Sequence, residues 1–277
     1  MKPRRGAGLA ELIVALTLAS VVSAAGVVAL NGTERYMRRS RVKSDARRAL
    51  REAESVLATD LRSALSDSIR VRGDTAVDFY GEIGMSAVCV VSGTVLMLPP
   101  DVTSAGVAYS SWRAQPEAGD LLSVFDTTAG GLWRAAVVDS ASTPVNGGGC
   151  KPSSGLLSAA DSIARRPFTR VVLHSAVSPP PLVGAPVRVA RPGRYALTRA
   201  ADGSWSLSYR RCTGSCAVAQ PVAGPFAAPA DSGLVFSADV AARRIAVFLR
   251  TPAPQVAVAG ESLLLRVAVR NRATGVP

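Results

Sequence analysis

The sequence predicts an α+β protein in which a long N-terminal helix precedes one mostly antiparallel β domain. Three observations predict this class. Residues 12–33 form an uncharged apolar run, residues 33–72 contain no Pro or Gly and have apolar residues at helical spacing, and the rest alternates short β-rich runs with turn residues. Of the 277 residues 48% are hydrophobic but only 5% are aromatic, so a globular core would be built mainly from Ala, Val and Leu.

The apolar run is long enough to cross a membrane. Residues 12–33 make about 33 Å of helix at a rise of about 1.5 Å per residue, which matches the thickness of a bilayer core. The hydrophobic region of an ordinary secretory signal is shorter, about 7–15 residues. A conventional cleaved signal is nevertheless an open alternative, because Lys2, Arg4 and Arg5 are basic and Ser23-Ala24-Ala25 is a possible cleavage site.

A single carboxylate, Glu11, lies just before this run in the stretch "RRGAGLAELIVALTL", residues 4–18. A charged side chain there costs roughly 2–4 kcal/mol in lipid. The stretch resembles the N-terminus of type IV prepilins and of the related pseudopilins of type II secretion. Members of this family have a short basic leader that ends in Gly, are cut after that Gly, and have Glu at the fifth position of the mature chain.

The resemblance can be placed on this sequence residue by residue. Gly6 ends a leader of residues 1–6, Ala7 becomes the first mature residue and Glu11 the fifth. Ala7 and Gly8 depart from the Phe and Thr that the family usually has. The resemblance implies cleavage between Gly6 and Ala7, methylation of the new α-amino group, and pairing of Glu11 with such a group in its own subunit or in a neighbour. Glu11 is thus the expected assembly residue.

The later part of the chain extends the resemblance. The segments "RYALTR", "SWSLSYRR", "GLVFSADV", "RRIAVFLR" and "LLLRVAVRNR" follow one another as in PilW-like minor pilins and GspJ-like pseudopilins, which lie at or near a filament tip. The resemblance implies a pilin-like fold and a structural subunit of a type IV pilus or a type II secretion pseudopilus. The implied partners are a prepilin peptidase, other pilin or pseudopilin subunits and inner-membrane lipid. No cofactor is implied.

The segment 34–72 is expected to continue the helix with one apolar stripe, while residues 7–33 form its transmembrane half. The stripe recurs at steps of three and four residues, and we expect it to pack on the sheet of the same domain. Gly73-Asp74 supplies the predicted stop, so the β-rich domain would span residues 73–277. The stripe consists of Ala46, Leu50, Ala53, Leu57, Leu61, Ala64 and Leu65.

Basic residues are concentrated just after the apolar run, in a chain whose formal net charge is +12. They form a solvated face, or they contact acidic lipid headgroups or acidic patches on neighbouring subunits. Nucleic acid is not an expected partner, because basic residues alone are a weak signal for it. The residues are Arg35, Arg38, Arg39, Arg41, Lys43, Arg47, Arg48 and Arg51, against the acidic Glu34 and Asp45.

These charges bear on which side of the membrane the C-terminal domain lies. Basic residues favour the cytoplasmic side of a span, and more of them follow the run than precede it, which taken alone favours a cytoplasmic C-terminus. Large domains, however, translocate largely regardless of charge. Together with the resemblance, this gives the expectation of a single pass through the inner membrane with the C-terminal domain in the periplasm or on a surface filament.

Short β-rich runs fill the C-terminal domain. Hairpins are expected across Ser92-Gly93 and between residues 121–125 and 132–138, and surface loops at 143–156, 178–186 and 221–232. No boundary divides the domain. The predicted strands are 76–80, 87–91, 94–98, 121–125, 132–138, 169–174, 187–190, 194–198, 205–210, 233–237, 244–249 and 263–269.

Four cysteines form an even set in a chain expected to leave the cytoplasm, which favours disulfides over free thiols. Three pairings are possible. We favour Cys212–Cys216, which closes the "CTGSC" loop, and Cys89–Cys150, which ties a strand to a Gly-rich loop. A zinc site is not expected, because four thiolates normally come as two close pairs and only Cys212 and Cys216 are close.

Catalytic motifs are not evident, and we expect no enzymatic activity. The sequence has no Gly-x-Ser-x-Gly elbow, no His-Glu-x-x-His and no phosphate-binding glycine loop. Its one histidine, His174, lies in "RVVLHSA" and is expected to flank or line a strand. A Ser-His-Asp triad is recognised by geometry, so sequence leaves it open. The alternative to a filament subunit is a membrane-anchored or secreted, adhesin-like binding module with an ordinary signal or anchor.

Overall fold

The computed structural model describes residues 8–103, 106–127, 131–143, 150, 154–163, 166–213, 215–239, 242–253 and 260–269. The chain divides into two compact units, Met1–Arg48 and Ala49–Pro277. The helix α1 runs over Leu9–Ser63, so its last part belongs to the second unit. A mostly antiparallel β region follows, which confirms the α+β class. The second unit therefore begins within the helix, ahead of the predicted domain boundary at residue 73.

The helix ends at Ser63, and the prediction that it continues to Arg72 is wrong. Hydrogen bonds to a strand replace those of the next helical turn. The Leu65 N–H donates to the carbonyl of Tyr80 at 3.0 Å, and the Ser68 hydroxyl accepts the Tyr80 N–H at 3.0 Å. The same hydroxyl donates to the Leu65 carbonyl at 2.6 Å. Ser and Asp side chains compete with helical hydrogen bonds in this way, and a short 3₁₀ turn follows.

Gly73 marks a hairpin turn rather than a helix stop. Residues 70–72 form a strand that pairs antiparallel with residues 76–78 of the next strand. The turn between them places Gly73 at φ +59°, a conformation that side chains with a Cβ disfavour. The predicted helix stop at Gly73-Asp74 is therefore wrong, because the segment before these turn residues is a strand.

The described part of the second unit contains two antiparallel sheets. The strands are β1 Arg70–Arg72, β2 Ala76–Ala87, β3 Val90–Ser92, β4 Val95–Leu98, β5 Ser111–Trp112, β6 Leu121–Asp126, β7 Leu132–Ser142, β8 Thr169–Leu173, β9 Pro186–Arg199, β10 Trp205–Thr213, β11 Ser215–Cys216, β12 Gln220–Phe226, β13 Leu234–Asp239, β14 Arg244–Arg250 and β15 Ser262–Ala268, and a short helix α2 spans Ala159–Ile163. In the larger sheet the described strands follow the order β1-β2-β9-β6-β7-β8-β4-β3, with β5 beside β2, β10 beside β9, and β11 and β12 beside β10. The smaller sheet has the order β13-β14-β15.

The end of α1 shares one hydrophobic core with both sheets. The predicted stripe is confirmed as far as Leu61: Leu57 and Leu61 are fully buried, and Ala46 at its start is half-buried. Its last two residues, Ala64 and Leu65, are buried but lie beyond the end of the helix. Core partners come from both sheets, including Val77 and Phe236. A second core lies under β4, β6, β7, β8 and the first half of β9. The stripe packs on the sheets of its own unit, as predicted.

Strand β9 is one long element where the sequence predicts two short strands, 187–190 and 194–198. Pro192 and Gly193 suggest a break, yet the strand continues through both. Pro192 lies where the neighbour along one edge changes, since β6 pairs with residues 187–190 and β10 with residues 193–199. Proline has no backbone N–H to donate, and this is tolerated at Pro192 because neither β6 nor β10 pairs with it. Gly193 leaves room for the ring of Tyr209, which a Cβ would approach to 2.6 Å.

The predicted surface loop at residues 221–232 is also wrong in part, because strand β12 occupies its first half. Pro221, Gly224 and Pro225 suggest a loop, but residues 220–226 pair with β10. Within the described chain β12 has no strand on its other side. Proline is tolerated on such an edge. The predicted strand 87–91 also differs, since β2 ends at Ala87 and β3 begins at Val90. Of the predicted 143–156 loop, residues 144–149 and 151–153 lie outside the described residues.

Candidate assembly site on the N-terminal helix

Glu11 lies in the first turn of α1. The helix begins at Leu9, and the Glu11 carboxylate accepts the backbone N–H of Gly8 at 3.2 Å. In return the Glu11 N–H donates to the Gly8 carbonyl at 2.9 Å. This is one half of a capping box, and a negative charge at a helix N-terminus is favourable. The other two expected site residues, Gly6 and Ala7, lie outside the described residues.

The helix after Glu11 presents apolar side chains to its surroundings. Leu16 is 67% exposed and Val22 is 70% exposed, and other large apolar side chains from Leu9 to Leu30 are exposed as well. Among the described residues this is the one helix that is long and apolar enough to cross a membrane. An apolar surface on all sides of a helix is stable in water only if something covers it.

Three hydroxyl groups along this surface are compatible with lipid. The Thr17 hydroxyl donates to the Val14 carbonyl at 2.9 Å, and the Ser20 hydroxyl donates to the Thr17 carbonyl at 2.8 Å. The Thr33 hydroxyl likewise donates to the Ala29 carbonyl at 2.9 Å. Each donor is therefore satisfied within the helix, as a membrane interior requires. These three hydroxyls of the candidate span thus leave no donor unpaired.

Both favoured disulfides are confirmed. Cys89 and Cys150 are bonded with their Cα atoms 5.2 Å apart, and both are buried. Cys212 and Cys216 are bonded with their Cα atoms 4.0 Å apart and pair as neighbours across β10 and β11. Described residues include no free cysteine. The bonds lie in the second unit, whereas Glu11 belongs to the first.

The sequence did not indicate the ion pairs that fix β9. Asp120 is fully buried and accepts hydrogen bonds from Arg191 at 2.9 and 3.0 Å and from Arg211 at 3.3 Å. Hydrogen bonding to Asp120 raises the pKa of Arg191 above its usual value. Arg211 also pairs with Glu117. These partners lie far apart in sequence, and a single sequence gives no signal of which charges meet.

A second group of ion pairs joins β1, β2 and β9. Arg194 and Arg72 both donate to Asp78, and the Arg72 contact is 2.9 Å. Burial acts against ionisation of Asp78, but these two arginines hold its pKa below the usual value. A buried charge is tolerated when it is paired and hydrogen-bonded in this manner. Both groups of ion pairs thus include an arginine of β9.

The end of α1 is joined to β9 by a polar contact. The Tyr195 hydroxyl donates to the Asp60 carboxylate at 2.6 Å, and Arg113 donates to Asp60 at 3.4 Å. Burial and the neighbouring Asp60 charge raise the pKa of Tyr195 above its usual range, so the phenol stays protonated. The ring of Tyr195 stacks on Phe79 with ring centroids 5.4 Å apart.

The one histidine, His174, is exposed and lies directly after the end of β8. It therefore flanks a strand, as the sequence predicts.

Comparison with protein-family models, with curated proteins and with solved structures finds no match to this chain. The candidate site therefore rests on its own geometry. That geometry is a carboxylate at the start of a helix whose following surface is apolar and exposed.

Proposed function

We propose that this chain is a minor pilin or pseudopilin, a structural rather than catalytic subunit. Its leader would be removed between Gly6 and Ala7 by a prepilin peptidase, and the new N-terminus would be methylated. The mature chain would then be incorporated, through its N-terminal helix, into a type IV pilus or a type II secretion pseudopilus, or would prime its assembly. Before assembly it would span the inner membrane once, with the second unit outside the cytoplasm.

The observation that carries the proposal is the position of Glu11. It is the fifth residue after Gly6, it lies in the first turn of α1, and an exposed apolar surface follows it. Its carboxylate already accepts the N–H of Gly8, the residue next to the proposed new amine in sequence. An ammonium group and a carboxylate that are both removed from water stabilise each other only if they are paired. Glu11 is therefore suited to pair with the Ala7 amine of its own or a neighbouring subunit.

The exposed apolar surface supports the same function at two stages. In the membrane, lipid would cover it, and three of its hydroxyls already donate to helix carbonyls. In a filament, the helices of neighbouring subunits would cover it. The two disulfides support a location outside the cytoplasm, because disulfides persist in oxidising compartments.

Processing is tested by the mass of the mature N-terminus. Wild-type protein should begin at Ala7, and Gly6→Leu should retain the leader because the peptidase requires a small residue before the cut. Gly8→Leu is a matched control, since a side chain at Gly8 meets no atom within 4 Å, and it should be cut normally. A wild-type chain that begins at Gly26 or at Met1 would instead identify an ordinary signal or an uncut anchor.

Location is tested separately by mapping free thiols in native protein isolated without reductant. An oxidising compartment predicts that none of the four cysteines reacts with an alkylating reagent. Four alkylated cysteines would show that the second unit stays in a reducing compartment. That result would exclude the proposed orientation whatever the position of the N-terminal cut.

A further inference from the structure

Four arginines follow the apolar run within two and a half helical turns, and we call them the arginine face. They are Arg35, Arg38, Arg39 and Arg41, and all four are exposed. At about 100° per residue they occupy one arc of roughly 160° around the helix axis. The arginine face is thus a continuous positive surface within the first unit.

The distance from the apolar run places this face at the membrane boundary. Residue 33 ends the run, and the arginines lie about 3 to 12 Å farther along the axis at about 1.5 Å per residue. The polar headgroup layer extends roughly 5–8 Å on each side of the hydrocarbon core. Arginine side chains are long enough to reach back into that layer from slightly beyond it. All four guanidinium groups can therefore reach lipid phosphates.

The positive charge of the face is not neutralised by the neighbouring acid. Glu34 is the one acidic residue in the sequence 34–44. It pairs with Arg38 at 3.7 Å, but the two side chains are 67% and 81% exposed. An exposed pair of this kind is weak and leaves the arginine available to another anion. Three positive charges therefore remain after the pair is counted.

An exposed tyrosine lies beside the arginines. Tyr36 is 73% exposed and directly follows Arg35, two residues after the first charged residue beyond the run. Tyrosine is enriched at membrane–water boundaries, because its ring is apolar and its hydroxyl is polar. An acidic protein surface would explain the arginines, but it would not explain their position directly after a membrane-length run. The position favours lipid.

We propose that the arginine face binds the phosphate groups of anionic phospholipids in the leaflet at the C-terminal end of the span. Guanidinium groups form paired hydrogen bonds with phosphate oxygens, and an anionic leaflet adds a general attraction. The binding holds the helix at a fixed depth. This lipid binding requires that α1 spans the membrane, but it requires neither leader cleavage nor assembly. The lipid proposal can therefore fail while the proposed function stands.

The test measures lipid selectivity in full-length protein reconstituted into phosphatidylcholine vesicles. Spin-labelled phosphatidylglycerol or spin-labelled phosphatidylcholine is added in trace amounts, and the motionally restricted fraction of each gives their relative association. Wild type should select phosphatidylglycerol by about fivefold or more, the contribution expected of a single basic residue near the surface. The triple variant Arg35→Gln, Arg39→Gln and Arg41→Gln, which keeps Arg38 of the arginine face, should lose most of this selectivity. Glutamine preserves the helix because it is a good helix former.

A control variant removes the same charge elsewhere. Arg244 and Arg266 are exposed on the smaller sheet and Arg243 is exposed in the turn before β14, and replacement of all three by Gln should leave the selectivity unchanged. Equal loss in both triple variants would show that net charge rather than the arginine face selects lipid, and would overturn the proposal. So would a wild-type chain without selectivity, the result expected if the arginines instead serve an acidic protein partner.

Salt provides a second readout on the wild-type chain alone. At about 1 M salt the screening length falls to about 3 Å, so the preference for phosphatidylglycerol should be largely lost. A preference that persists unchanged at this salt concentration would contradict recognition by the arginine charges. This measurement requires no variant to fold.

Discussion

The two ends of α1 have the same backbone conformation but opposite surroundings. Near its start, Leu16 and Val22 are mostly exposed, whereas Leu57 and Leu61 near its end are fully buried. The pattern of the sequence explains the difference. The first part is apolar on every side, so no single contact with a sheet could cover it, whereas the second part has one stripe that a sheet can cover. A helix can thus serve its own domain at one end and an external apolar environment at the other.

The carboxylates at the two ends of α1 differ in the same way. Asp60 at the buried end has side-chain partners within its unit, Tyr195 and Arg113. Glu11 at the exposed end accepts the backbone N–H of Gly8. We therefore expect changes at Asp60 and its neighbours to alter folding, and changes at Glu11 to alter association. The following predictions separate these two expectations.

The largest effect on folding is expected from Leu57→Ala. Its side chain is fully buried in the core that α1 shares with both sheets, and such a truncation costs about 2–5 kcal/mol of unfolding free energy. Leu16→Ala is the matched control at the exposed end, and we expect no measurable change. Tryptophan fluorescence during denaturation in detergent is a suitable measurement, because Trp112, Trp133 and Trp205 all lie in the second unit. Equal destabilisation by both variants would contradict the division of the helix.

A smaller effect is expected from removing the disulfide of the short loop. Cys212→Ser with Cys216→Ser should cost about 2 kcal/mol, because the closed loop is short and restricts the unfolded chain little. The change should lower the stability of the second unit and leave the helical signal of the first unit intact. Far-ultraviolet circular dichroism and tryptophan fluorescence, recorded on the same sample, distinguish the two. Parallel loss of both signals would show that the helix depends on this loop.

The smallest effect on folding is expected from Tyr195→Phe. Loss of its hydrogen bond to the charged Asp60 should cost roughly 1.5 kcal/mol, since Asp60 keeps its contact with Arg113. Burial and the Asp60 charge raise the pKa of Tyr195 above its unfolded value of about 10. The folded state therefore holds this proton more tightly, and wild type should lose stability as the pH rises above about 10. Tyr195→Phe should lose less over the same range.

That pH profile is also a check on the contact itself. Burial likewise raises the pKa of Tyr80 and Tyr209, so the variant should retain a shallower alkaline decline rather than none. Unfolding free energies at pH 8 and pH 11 for both chains provide the comparison. Identical declines in wild type and Tyr195→Phe would show that Tyr195 does not keep its proton in the folded state.

Elements set by local pattern were predictable from the sequence. The apolar run, the stripe with Leu57 and Leu61 and the disulfide pairings were identified correctly, because each depends on spacing or on residue type. The end of the helix was not predictable in this way. No Pro or Gly stops it at Ser63, and the hydrogen bonds that end it come from β2, a strand that follows in the sequence.

Strand predictions failed where the sheet accommodates an unfavourable residue. Pro192 is tolerated because it lies between the two neighbours of β9, and Pro221 because β12 lies at an edge of the described sheet. The burial of Asp120 between Arg191 and Arg211 was equally hidden, because it depends on which strands become neighbours. At the candidate site the sequence identified Glu11, and the structure added its hydrogen bond to Gly8.

The most direct test of the account is the incorporation of Glu11→Ala into filaments. The change should leave cleavage, membrane insertion and the tryptophan signal of the second unit intact, because the β-rich unit does not use Glu11. It should lower incorporation more than a hundredfold, since loss of the partner of a buried charge costs about 3–5 kcal/mol. Glu34→Ala is the control, a helix carboxylate that makes one exposed ion pair with Arg38.

The measurement is the amount of each variant that co-purifies with sheared filaments, or that cross-links to neighbouring subunits, at matched membrane abundance. We predict wild-type incorporation for Glu34→Ala and almost none for Glu11→Ala. Wild-type incorporation of Glu11→Ala would show that the carboxylate only caps its own helix, and would contradict its role in assembly.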